Sequence, residues 1–151
     1  MTELHPRTRG VLERLPFVGK RRGADPDVVD DLVEIVRATD DPVLAAHRVA
    51  IVLDQCSAFD ATQAASSCAL SDDPKVRRAL AEALVWVFPL LGAGSILELL
   101  ASDPLPEVRF AVARAAHARR LSIGDHVLQR LMTDPDSLVS GAAAFALATR
   151  P

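Results

Sequence analysis

The stretch "DDPKVRRALAEAL", Asp72–Leu84, is written three times with small changes. "SDPLPEVRFAVARAA" follows at Ser102–Ala116, and "DPDSLVSGAAAFAL" at Asp134–Leu147. Val76-Arg77 and Val108-Arg109 stand 32 residues apart, Val108 and Val139 stand 31 apart, and Pro42 and Pro74 stand 32 apart. A period near thirty marks a chain made of one repeated supersecondary unit. A unit that small cannot bury its apolar face alone and must stack on a copy of itself.

Each unit carries Asp-Pro, as Asp41-Pro42, Asp73-Pro74, Asp103-Pro104 and Asp134-Pro135. An aspartate accepts hydrogen bonds from the free amides of a helix start. A proline in the first helical position has no amide to leave unpaired, and its φ is already helical. The pair therefore stops one helix and starts another. Helices are predicted over 43–54, 75–88, 106–119 and 136–149, the third starting near Pro106 because "SDPLPEVR" holds two prolines. A shorter helix precedes each: 27–38, one from Asp60 with Gln63 three residues on, one from Ser95 with Glu98 three residues on, and 122–132. The Asp60 and Ser95 spacings fit capping boxes. In the first quoted line, positions 76, 79, 80, 83 and 84 are apolar at helical spacing and belong to a core. The solvent side of that helix is then 78, 82 and 85–86, which maps to 110, 114 and 117 and to 141, 145 and 148.

The Asp-Pro-x-Val-Arg line between paired helices resembles HEAT repeats, and the short-period bacterial PBS-lyase HEAT-like variety most of all. The resemblance is good over Ser71–Ala118, fair over 122–149 and weaker over 25–54, where the motif's Arg has no clear equivalent. There the alignment of "DDPVLAAHRVAIVL" shifts by a residue or two, and residues 1–23 lie outside the resemblance. It implies an all-α fold, a right-handed α-solenoid of about four HEAT-like helical hairpins over 24–151, behind a basic N-terminal segment 1–23. It also implies a ladder between successive repeats, made by Arg77 and Arg109 with Asp72 or Asp73 and Asp103 as partners. Ser140 stands where the fourth Arg should be.

Composition agrees with helices. Half of the 151 residues are apolar and a quarter charged, tyrosine is absent, and alanine is abundant. Fifteen arginines against two lysines suggest a high-GC bacterial genome. The opening "MTELHPRTRG" has no apolar core of the signal-peptide kind. The longest uncharged run, Ala83–Leu97, is shorter than the roughly 18 residues of a membrane span and is broken by Pro89, Gly92 and Gly94. A cytoplasmic protein without a membrane span is the expectation. Cys56 and Cys68 lack a metal-type spacing and are expected reduced. Net charge is −3, but residues 1–23 hold six cationic side chains against two acidic ones, so the body is acidic.

Catalytic chemistry is hard to find. "GAGS", Gly92–Ser95, lacks the rest of any phosphate loop and reads as a turn with Ser95 as a cap. Asp27, Asp30, Asp31 and Glu34 share one face of the first helix, read as a solvated outer face. His5, His47, His117 and His126 pair with no other ligand at metal spacing. Val11, Leu12, Leu15, Phe17 and Val18 interleave with the arginines of the N-terminal segment, which reads as a capping segment, an amphipathic docking helix or a phosphate-contacting arm.

The expectation is a non-enzymatic protein-binding module without cofactor or metal. Its partner-binding candidates are Arg78, Glu82, Trp86, Phe110, Arg114, His117 and Phe145, since Trp and Arg often dominate interfaces. Nucleic-acid binding through the basic segment is one alternative, against which the acidic body argues. An accessory subunit of a lyase-type enzyme is another. The last helix, uncharged between Asp136 and Arg150, is expected to leave apolar surface uncovered and suggests a homodimer.

Overall fold

The computed structural model describes residues 26–86, 93–118 and 125–149. Those residues form eight helices and no strand: α1 (Pro26–Ala38), α2 (Pro42–Asp54), α3 (Ala58–Ala69), α4 (Pro74–Ala83), α5 (Ala93–Ala101), α6 (Pro106–Ala118), α7 (Asp125–Leu131) and α8 (Ser137–Ala148). The N-terminal segment 1–23 and the histidine within it lie outside the described residues.

The aspartates do two different jobs. Asp41 caps α2, its carboxylate accepting from the amides of Val43 at 2.9 Å and Leu44 at 3.4 Å. Asp73 caps α4 by accepting from the Lys75 amide at 2.9 Å. Pro42 and Pro74 open their helices, as expected. Asp103 and Asp134 sit one turn earlier. Each closes a tight turn by accepting from the amide two residues on, Leu105 at 3.0 Å and Asp136 at 2.9 Å. The cap of α8 is Asp136, bonded by the Leu138 and Val139 amides.

Two helix starts differ from the sequence expectation. α3 begins at Ala58, capped by Ser57, whose hydroxyl accepts from the Asp60 amide at 3.1 Å. Asp60 is inside the helix and buried. Ser57 and Asp60 stand at the serine-to-acid spacing of a capping box. α5 begins at Ala93, so Ser95 lies within the first turn instead of capping it. Ile96, Leu97 and Leu100 are buried, and their packing extends the helix past its local cap signal.

The helices pair in order, α1 with α2, α3 with α4, α5 with α6 and α7 with α8. The even-numbered helices also contact one another in sequence, α2–α4–α6–α8, as do the odd-numbered ones, α1–α3–α5–α7. One continuous core runs between the two rows. All five predicted core positions, Val76, Ala79, Leu80 and Ala83 of α4 and Leu84 just past its end, are buried, as are the equivalents Val108, Ala111, Val112, Ala115 and Ala116 of α6. In α2 the buried residues are Ala45, Ala46, Arg48, Val49, Ala50, Val52 and Leu53. Ala45, Arg48, Val49, Val52 and Leu53 lie 31 residues before the five α4 core positions, although the prolines lie 32 apart. Arg48 therefore occupies a core position; one guanidinium nitrogen donates to the Thr39 hydroxyl at 3.0 Å, and burial pulls its pKa down.

Arginine rungs tie successive turns. Arg77 donates to Asp103 at 2.5 and 3.4 Å and to the Ser71 carbonyl at 2.8 Å. Arg109 donates to Asp134 at 2.7 and 3.2 Å and to the Asp103 carbonyl at 2.8 Å. Each arginine thus binds its own turn's backbone and the following turn's carboxylate. Of the partners implied by the resemblance, Asp103 takes Arg77, and neither Asp72 nor Asp73 is bonded by either arginine. Asp73 instead meets Arg37, at the end of α1, at 3.3 Å. Arg37 is 67 % exposed, so this rung is screened by water. Arg37→Ala is expected to shift the urea midpoint by no more than about 0.5 kcal/mol equivalent.

Candidate binding groove

Residues of α6 and α8 frame a groove of about 630 Å³. Phe110, Ala113, Arg114 and His117 come from α6, and Leu138, Gly141 and Phe145 from α8. Phe110, Arg114 and His117 face outward because Val108, Ala111, Val112, Ala115 and Ala116 occupy the inward side of the same helix; Ala113, itself buried, lies at the groove's base. Phe110 is half-buried and packs on the core. Phe145 is 68 % exposed and Leu138 73 % exposed. A side chain added at Gly141 would meet nothing within 4 Å, so the groove is open above it.

The walls are apolar but for Arg114, His117 and Ser137. Arg114 is exposed and has no ion-pair partner among the described residues. His117 is half-buried, and its Nδ1 is out of water with no hydrogen-bond partner. No carboxylate lines this groove among the described residues. A smaller cleft continues it past Phe110 and Leu138 toward Arg78, Glu107 and Asp136. There Arg78 lies 3.7 Å from Glu82, one turn along α4.

The structure thus gathers Phe110, Arg114, His117 and Phe145 of the sequence candidates around one cavity, with Arg78 beside it. Glu82 lines neither space and serves Arg78. Trp86 is elsewhere. α4 ends at Ala83 rather than near 88, and Trp86 lies in the following turn, exposed, with its ring edge-on to His47 at 4.9 Å between centroids. It shares a separate cleft with His47, Ile51 and Asp54 of α2. Those three align with 78, 82 and 85 once α2 is offset by 31, so a corrected alignment would have found them. Leu138 was visible in sequence only as one of many apolar residues on the last helix.

The carboxylate face of α1 is not one solvated surface. Asp31 is buried, because α1 packs against α2, α3 and α4, while Asp30 is exposed. No cluster of three or more His, Cys, Asp or Glu able to hold a metal occurs among the described residues. Neither Cys56 nor Cys68 is in a disulfide; the Cys56 thiol donates to the Val52 carbonyl at 3.4 Å, and burial pushes the Cys68 thiol up to about 12. No described helix is long and apolar enough to cross a membrane. Comparison with protein-family models, curated proteins and solved structures found no match.

Proposed function

We propose that the chain is a right-handed α-solenoid of four HEAT-like hairpins, working in the cytoplasm as a non-enzymatic protein-binding module. The even-numbered helices form its binding side. The observation that carries this reading is the open, mostly apolar groove between α6 and α8, with Phe145 and Leu138 largely exposed and Arg114 on its wall without an ion-pair partner among the described residues. Large exposed apolar side chains grouped along a cleft mark interaction surfaces on soluble proteins. Stacked helical hairpins present such surfaces as a continuous strip. In-order contacts within each row and the Arg77 and Arg109 rungs support the solenoid reading.

A photo-crosslinking residue at position 145, compared with one at the exposed Leu99 of the odd-numbered row, tests the binding side in the native cells. Discrete protein adducts are expected from position 145 and not from 99. Equal adducts from both, or none from 145, would reverse the assignment. A homodimer through α8 is the second reading, favoured by the exposure of Leu138 and Phe145. Light scattering of the wild type against Phe145→Glu decides it.

A further inference from the structure

Resting on the reading of the α6–α8 groove as a protein-binding site, we propose that its occupant is an acidic amphipathic helix of another protein. Phe145 and Leu138 keep most of their surface in water, so this is an open trough rather than an enclosing cavity. Pockets for small ligands surround most of the ligand's surface, and this one does not. Its floor between Phe110 and Phe145 is made by Ala113, Gly141 and Ala142. Small side chains there let a helix backbone come close. An apolar stripe at i, i+3 or i+4, and i+7 then lies between the two aromatic rings.

Charge selects the partner. Arg114 is exposed on the groove wall between Phe110 and His117, without a counter-charge among the described residues. A carboxylate placed one turn from the apolar anchors meets the Arg114 guanidinium as a charge-assisted pair. A second copy docked by its own α8 brings no carboxylate from within that helix, which holds no charge between Asp136 and Arg150, while its Asp136 carboxylate accepts from the amides of Leu138 and Val139. The chain's own residues 1–23, with six cationic side chains against two acidic, would set like charge against Arg114. The complementary occupant is therefore acidic and comes from a different protein.

The test is selection of a displayed library of short helical peptides on the full-length chain, with counter-selection on a Leu138→Ser/Phe145→Ser double variant. Both substituted residues are exposed, so the variant keeps its fold, which circular dichroism verifies. Selected peptides should carry apolar residues at helical spacing and an excess of Asp and Glu. Their affinity, read by fluorescence anisotropy, should fall on the order of tenfold on Arg114→Glu, and recover when the peptide's acidic residue becomes Lys. Peptides without charge bias and indifferent to Arg114→Glu would overturn the acidic occupant while leaving the groove as a binding site. Selection that never distinguishes wild type from the double variant would overturn both. A concentration-dependent dimer abolished by Phe145→Glu would assign the groove to a second copy and overturn the proposal.

Discussion

Arg109→Ala is expected to destabilise the chain by about 3 kcal/mol, at the upper end for a buried polar group left unsatisfied and the lower end for a broken buried ion pair. The guanidinium side chain is 13 % exposed and its partner Asp134 is 6 % exposed. Removing it strands that carboxylate and the Asp103 carbonyl together. The same rung makes stability depend on pH. Burial pushes the Asp134 carboxyl up, but the hydrogen bonds from Arg109 and the Asp136 amide and the attraction of Arg109 outweigh it, so the pKa is lowered. Its folded-state pKa is thus below the usual value of about 3.9 for aspartate. The stabilisation is complete above the unfolded-state value and is lost as pH falls through the folded one. Below about pH 4 the wild type should therefore lose stability more steeply than Arg109→Ala. Urea melts across that range measure the difference; parallel curves would show that Asp134 draws nothing from Arg109.

Ala143→Glu is expected to cost about 4 kcal/mol or more, whereas Ala144→Glu, its neighbour, stays within about 0.5 kcal/mol. Ala143 is 0 % exposed in the core beneath α8, so a glutamate there is a buried charge without a partner. Ala144 is exposed. Ala143 is therefore a probe of the core, and Phe145 is the probe of the exposed side of the same helix. Equal urea midpoints for the two variants would show that α8 does not pack by the Val139, Ala143, Ala146 side.

Much of this was legible without coordinates. Helix starts followed from Asp41-Pro42 and Asp73-Pro74, because capping is settled by residues within one turn. The inward face of α4 and α6 followed from positions 76, 79, 80, 83 and 84 and their equivalents, since the other side of those helices carries Arg78, Glu82 and Arg114. Most of the groove followed from the same alignment, with Phe110, Arg114, His117 and Phe145 together.

Tertiary packing decided what local pattern left degenerate. On α2, Pro42 aligns with Pro74 at 32 residues while the buried face aligns at 31, placing Arg48 inside and His47 and Ile51 outside. A proline reports where a helix begins, not how it is rotated about its axis; rotation answers to the helix next to it. Asp103 and Asp134 look like caps, yet they close turns and receive arginines from the preceding unit, a pairing 25 or 26 residues long in the chain. On α8 almost every residue is apolar or small, so periodicity alone could not choose a face. Contact with α6 and α7 chose it, burying Val139, Ala143 and Ala146 and leaving Leu138 and Phe145 to the solvent. Sequence by itself thus determined where helices form and which amphipathic faces turn inward. Only packing determined the rotation of the helices whose own pattern favours no side, because there the free energy of burial depends on the neighbour's shape and not on the residue's identity.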